Sequence, residues 1–179
     1  MLEVKKCILV VVDVQGRLAR LMYEKEKLFN NISILIKAAT ILNIPIVWSQ
    51  QCPAALGPTV PQIAELLAGC EPVNKAAFSC WADEQFRAGV NELGRQQVLL
   101  CGIEAHICIY QTAIDLRQSG FEVHVVSDAV SSRALGNKQL ALDRMAADRI
   151  KLSCVEMALF ELLRTAEHVK FKEIAALIK

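Results

Sequence analysis

Three side chains in this sequence of 179 residues could together carry covalent catalysis: Asp13, Lys75 and Cys108. A thiol attacks carbon as its thiolate, so it needs a base to remove the proton. A carboxylate can take that proton and later return it to a leaving group. Cys108 falls in the first turn of a helix predicted over 105–119, where free N–H groups and the positive end of the helix dipole favour an anion. The expectation is therefore a Cys108 thiol lowered in pKa by Lys75 and the helix N-terminus, and alkylated first among the seven cysteines. Each residue also has an ordinary structural explanation: a small core cysteine, a carboxylate capping a turn, a solvated lysine. Chemistry is favoured because all three fall where strands end.

The histidines add little. His106 is two residues from Cys108, a spacing that does not bring side chains together on a helix, so it reads as lining the site mouth or bonding locally. His124 reads as a core histidine and His168 as an exposed one. No Ser-His-Asp triad, metal-ligand spacing or glycine-rich phosphate loop occurs. The expected metal and cofactor are none.

Strand-like and helix-like segments alternate around these residues. Cys7–Val12 is apolar at every position, as a strand buried on both faces must be. A helix is predicted over 24–42, where Leu28, Ile32, Leu35, Ile36 and Ala39 form one stripe. Further strands are predicted at 44–48, 73–75, 98–102, 122–126 and 150–153. Residues 51–61 read as a loop, because Pro53, Gly57, Pro58 and Pro61 fall there. Helices are predicted at 62–68, from an N-cap at Asp83 to Gly94, and at 105–119, 137–147 and 155–164, with a further turn or two in 171–179. The fold class is α/β: one domain over 1–179, a Rossmann-like three-layer sandwich with a mostly parallel central sheet flanked by helices. Ligands of open parallel sheets bind outside the carboxyl ends of the strands, which is where Asp13, Lys75 and Cys108 lie.

Composition narrows the partners. Twenty basic against nineteen acidic residues leave a net charge of +1, which favours neither nucleic acid nor an anionic membrane. No apolar run is long enough to span a bilayer, and no charged-then-apolar leader opens the chain. An odd number of cysteines without a C-x-x-C pair fits a reducing cytoplasm. Hydrophobic residues make up 54%, more than one small domain readily hides, so a homodimer or larger homo-oligomer is expected. The stripe Phe171, Ile174, Leu177 and Ile178 is the candidate contact.

The motifs resemble those of the isochorismatase-like cysteine hydrolases over nearly the whole chain, most closely the isochorismatase domain-containing subgroup. The resemblance rests on Val-Val-Asp13-Val-Gln15, on Lys75 in Asn-Lys-Ala-Ala-Phe-Ser, and on Leu-Cys-Gly102-Ile103-Glu104-Ala105-His106-Ile107-Cys108. Gln51-Cys-Pro53, Leu56-Gly-Pro-Thr-Val-Pro61 and Asp128-Ala-Val-Ser-Ser-Arg133 resemble segments of that subgroup. The resemblance implies a catalytic triad of Asp13, Lys75 and Cys108 and a thioester intermediate. It also implies a non-proline cis peptide at Ile103–Glu104, with the N–H groups of Glu104 and Cys108 facing the oxyanion. Nicotinamidase-like members hold a metal through an aspartate and histidines after the second strand. Ser49-Gln50-Gln51-Cys52-Pro53 stands there instead. Isochorismatase itself lacks this nucleophile, so isochorismate cleavage is not implied.

The expected activity is hydrolysis of a non-peptide C–N bond in a small amide or ureido substrate, with Gln15, Gln51, Phe78 and Trp81 as candidate substrate contacts. An idle scaffold or interaction protein, or a thiol redox sensor using Cys108, is the alternative on the same fold.

Overall fold

The computed structural model describes residues 1–178. In chain order the elements are β1 (Cys7–Val12), α1 (Gly16–Arg20), α2 (Lys25–Ile41), β2 (Ile46–Gln51), α3 (Pro53–Leu56), α4 (Pro61–Ala64), β3 (Val73–Lys75) and α5 (Glu84–Glu92). There follow β4 (Gln97–Ile103), α6 (Tyr110–Gln118), β5 (Glu122–Ser131), α7 (Leu135–Ala147), β6 (Lys151–Ser153), α8 (Val155–Leu163) and α9 (Phe171–Ala175). The six strands form one sheet in the order β3-β2-β1-β4-β5-β6, and every neighbouring pair is parallel. The strand order turns back at β1, so β2 lies on one side of it and β4 on the other. Such a switch point opens a crevice at the carboxyl ends.

Period-two alternation along β1 divides the core. Cys7, Leu9 and Val11 face a cluster containing Ile32, Leu35 and Ile36 of α2 and Leu159 and Leu162 of α8. Ile8, Val10 and Val12 face a second cluster with Phe86 and Val90 of α5, Leu116 of α6 and Met145 of α7. All six residues of β1 are buried, which is why the run carries no polar residue. Asp83 caps α5 as expected: its carboxylate accepts from Phe86 N–H at 3.0 Å.

Several sequence expectations change. The loop at 51–61 contains α3, which begins at Pro53, a residue preset for the first helical turn. Residues 62–68 are only a short α-turn and a 3₁₀ turn. Strand β5 runs on to Ser131, five residues past its expected end, with an irregular register against β4 between Leu100 and Gly102. In the C-terminal stripe Ile174 is fully buried, and Phe171, Leu177 and Ile178 pack on the first core cluster. That stripe packs on its own domain; Lys179 lies outside the described residues. Among the described residues no helix is long and apolar enough to cross a membrane.

Candidate active site

Asp13 leaves the carboxyl end of β1 with φ +53°, a left-handed conformation that aspartate tolerates better than most residues. The turn is braced by Gln15, whose N–H donates to Asp13 O at 2.8 Å. Asp13 Oδ1 accepts from Ser49 Oγ at 2.8 Å, and Oδ2 accepts from Lys75 Nζ at 2.7 Å. Lys75 is the last residue of β3, two strands away from β1. Its ammonium also donates to Gln51 Oε1 at 2.7 Å and to the carbonyls of Ala77 and Phe78 at 3.1 and 3.2 Å. The side chains of Lys75 and Asp13 are 0% and 4% exposed. A buried ion pair survives only with its remaining donors and acceptors satisfied, and this one meets that condition.

Cys108 enters from beyond β4. The chain from Ala105 to Ile109 forms one π-helical turn before α6 begins, a local widening common at functional sites. The backbone must pass close to β1 to arrive there. A Cβ on Gly102, at φ +120°, would sit 2.1 Å from Val12 O, so only glycine fits. The Ile103–Glu104 peptide that follows is cis, as the resemblance implied. Cys108 and Asp13 then share a cavity of about 100 Å³. Leu18, Leu56, Phe78, Ile103 and Ile107 supply apolar wall, and Gln51 and Glu104 the remaining polar lining.

The electrostatics overturn one expectation. Burial, followed by the charge of Asp13, pushes the Cys108 thiol well above its ordinary value, and Lys75 only partly opposes this. The lysine's charge is already matched by Asp13, so little remains to stabilise a thiolate. The direction of this shift runs against a thiol acidified by Lys75 and the helix end, and Cys52 and Cys70 are the exposed cysteines. For Lys75, burial acts to lower the pKa. The Cys80 sulfur, the Asp13 carboxylate and the Cys108 sulfur act against it and hold the ammonium above its ordinary value.

Of the four candidate substrate contacts, Gln51 and Phe78 line the cavity. Gln15 does not. It is fully buried, and its amide is spent on backbone: Nε2 donates to Gln51 O at 3.1 Å and to Gly57 O at 2.8 Å, and Oε1 accepts from Gln51 N–H at 2.6 Å. It ties the exit of β1 to the end of β2. Trp81 instead packs edge-on against Phe121, 5.2 Å between centroids, away from the cavity. Sequence reasoning missed Leu18 and Leu56, because α1 and α3 are too short to show a hydrophobic period, and Ile107, which lies in the π-helical turn at Ala105–Ile109. Ser49 was also missed as a partner of Asp13, although its place near the carboxyl end of β2 was a usable signal.

His106 Nδ1 lies 2.9 Å from Ser132 Oγ, and the residue is not a base for Cys108. His124 is buried and bonds Glu122, as a core histidine should. His168 is half-buried rather than exposed, and its Nδ1 accepts from Lys170 N–H. Among the described residues no group of three His, Cys, Asp or Glu side chains could hold a metal.

A six-stranded parallel sheet in this order, with its polar cluster at the switch point, places the chain among the doubly wound α/β proteins. The chain belongs to the isochorismatase family: the Isochorismatase domain profile matches residues 7–157. Isochorismatase domain-containing protein 2 of Danio rerio is 38% identical over 178 residues, covering 99% of this chain and 89% of that protein. The solved MAR1 ribonuclease of Caenorhabditis elegans superposes with a TM-score of 0.92 at 35% identity, over 99% of this chain and 91% of that one. The Escherichia coli YcaC product, described as an octameric hydrolase of unknown specificity, shares the fold with a TM-score of 0.88 at 23% identity. It is matched over 99% of this chain and 94% of its own.

Proposed function

We propose that this protein is a cysteine hydrolase that cleaves a non-peptide C–N bond in a small amide or ureido substrate. The observation that carries the reading is the buried Asp13–Lys75 pair at 2.7 Å beside the cavity that Asp13 shares with Cys108. As Cys108 Sγ attacks the carbonyl carbon, Asp13 takes the thiol proton, and the carbonyl π electrons move to oxygen. The N–H groups of Glu104 and Cys108 receive that oxyanion. On collapse the C–N bond breaks, and Asp13 passes the proton to the departing nitrogen. Asp13 then takes a proton from water as it attacks the thioester. The acid leaves, and the thiol is restored. Lys75 and Ser49 hold Asp13 in position through its two carboxylate oxygens. A raised thiol pKa suits this scheme, because the proton moves only as the nucleophile attacks.

The ribonuclease name of the Caenorhabditis elegans relative raises a second chemistry. The lining of this pocket argues against a phosphodiester: it includes two carboxylates, Asp13 and Glu104, and no cationic side chain. We also infer a cytoplasmic setting, in which the seven unpaired cysteines stay reduced. A homodimer or larger assembly is supported by the exposed Leu135, Leu140 and Met157 and by the octameric description of the E. coli neighbour.

Intact-mass analysis during incubation with small amides and ureides, with ammonia release followed in parallel, tests the reading. A transient acyl adduct on Cys108, lost together with turnover in Cys108→Ala, is the expected result. A Cys108 disulfide without turnover would point to a redox sensor. RNA cleavage that survives Cys108→Ala would point to the other chemistry, and no adduct with any amide would overturn the reading.

A further inference from the structure

Four side chains with reactive or hydrogen-bonding atoms line the pocket: Asp13, Gln51, Glu104 and Cys108. Asp13 is engaged at both oxygens, by Ser49 and Lys75. The Gln51 amide is likewise used at both ends, accepting from Lys75 and donating to Ala76 O at 2.7 Å. Glu104 differs. Its Oε2 accepts from both the backbone N–H and the Nε of Arg133, at 2.9 and 3.2 Å. Among the described residues no protein donor reaches its Oε1. Glu104 is only 5% exposed, yet that oxygen is not sealed in: the sealed side-chain polar atoms without a partner are Thr59 Oγ1 and Ser79 Oγ.

A nearly buried carboxylate oxygen with no protein donor must take its hydrogen bond from water or from a ligand that reaches it. The two carboxylates also differ in charge balance. Asp13 is neutralised by a fully buried ammonium. The Arg133 side chain beside Glu104 is 57% exposed, so water and salt screen its charge. Of the two carboxylates that line the pocket, Glu104 is thus the less neutralised, and the Ile103–Glu104 segment leads directly into the turn that carries Cys108. Charge attraction across a small apolar space is strong, so the effect on ligand choice is large.

We propose that Glu104 is the specificity-determining residue of this pocket, its free Oε1 selecting small substrates that carry a protonated nitrogen near the bond attacked by Cys108. This deepens the hydrolase reading and rests on Cys108 being the reacting atom. The same carboxylate would turn away anions, carboxylates and phosphates included.

The test uses three alkyl methanethiosulfonates of similar size on the whole protein: 2-aminoethyl, ethyl and 2-sulfonatoethyl. In each, Cys108 gives its proton to base and its sulfur attacks the thiosulfonate sulfur. A protein–reagent disulfide forms, and methanesulfinate leaves with the electron pair of the broken S–S bond. Peptide mapping gives the rate at Cys108, divided by that at the exposed Cys70 in the same molecule to cancel intrinsic reactivity. The cationic reagent should exceed the anionic one at Cys108 by about tenfold or more, a difference of about 1.4 kcal/mol. Glu104→Gln, which can still accept from Arg133, should reduce that ratio about fivefold or more. Arg133→Ala should raise it, a change of opposite sign that a merely structural Glu104 would not produce. A folded Glu104→Gln with a ratio within about twofold of the parent would overturn the proposal, as would a ratio that falls in Arg133→Ala. If Glu104→Gln does not fold, Arg133→Ala decides. An acyl adduct on Cys108 with unchanged charge selectivity would defeat this inference alone; altered selectivity without any adduct would defeat the hydrolase reading alone.

Discussion

The two ends of the sheet each carry an ion pair of nearly the same length. At the carboxyl ends Lys75 meets Asp13 at 2.7 Å; at the amino ends Lys151 meets Glu122 at 2.8 Å. Their surroundings differ. Lys75 and Asp13 are 0% and 4% exposed, whereas Lys151 and Glu122 are 51% and 36% exposed. Glu122 also gathers His124 and Gln97, and with Lys151 first among its partners its carboxyl is lowered to about 2. Such an exposed hub is screened by water and contributes little to stability. The buried pair cannot be solvated, so each partner depends on the other. The two pairs match in contact distance and differ in burial and in having a cavity beside them.

The largest effect should come from separating the buried pair. Asp13→Asn leaves the Lys75 ammonium buried without a counter-charge and should cost about 3–5 kcal/mol in urea unfolding. It also removes the proposed base, and amide turnover should fall by about 10²–10⁴. The double variant Asp13→Asn/Lys75→Met should recover much of the stability and none of the turnover. Recovery of turnover in the double variant would show that the pair is only structural.

A second measurement asks whether alkaline sensitivity is confined to the site. Burial pushes Cys7 up to about 12 and Cys80 up to about 11, and raises Cys101 and Cys108 further, from an ordinary value of 9.0. These native thiols stay neutral while unfolded ones ionise, so the native state holds more protons above pH 9. Stability is therefore full below pH 9 and falls as pH rises, by about 1 kcal/mol for each such thiol between pH 9 and 10. Urea midpoints at pH 8, 9 and 10 would show the decline. Because Cys7 and Cys101 lie on β1 and β4, Cys108→Ala should remove only its own share. A decline abolished by that single change would place all the sensitivity at the site.

The smallest effect should come from the opposite end. Glu122→Gln should change stability at pH 7 by no more than about 1 kcal/mol and leave turnover unchanged. The native Glu122 pKa lies below its ordinary 4.5, so this group stabilises above pH 4.5 and loses that contribution as pH falls toward 2. Thermal melts from pH 6 to pH 3 should consequently decline less steeply in the variant. A loss of turnover would mean that the two ends of the sheet are coupled.

Much of this arrangement was legible in the chain itself. The continuous apolar run of Cys7–Val12 demanded a strand buried on both faces, and the stripe through Leu28, Ile32 and Leu35 demanded a helix against it. Alternation of such segments implied the parallel sheet, and the parallel sheet located Asp13, Lys75 and Cys108 at one edge. Local patterns could not reveal what depends on contacts between distant segments. Gln15 reads as a polar side chain free for substrate until the ends of β2 and α3 close over it. Trp81 reads as a pocket wall until Phe121, forty residues later, takes its face. The Cys108 thiol reads as acidified by a helix end and a lysine; tertiary packing instead buries it and commits that lysine's charge to Asp13. Periodicity and residue type determine which elements form and which edge is polar, because those depend on neighbours along the chain. Ionisation state, free hydrogen-bonding capacity and the open space beside Cys108 depend on which distant atoms exclude water, and only the tertiary structure decided them.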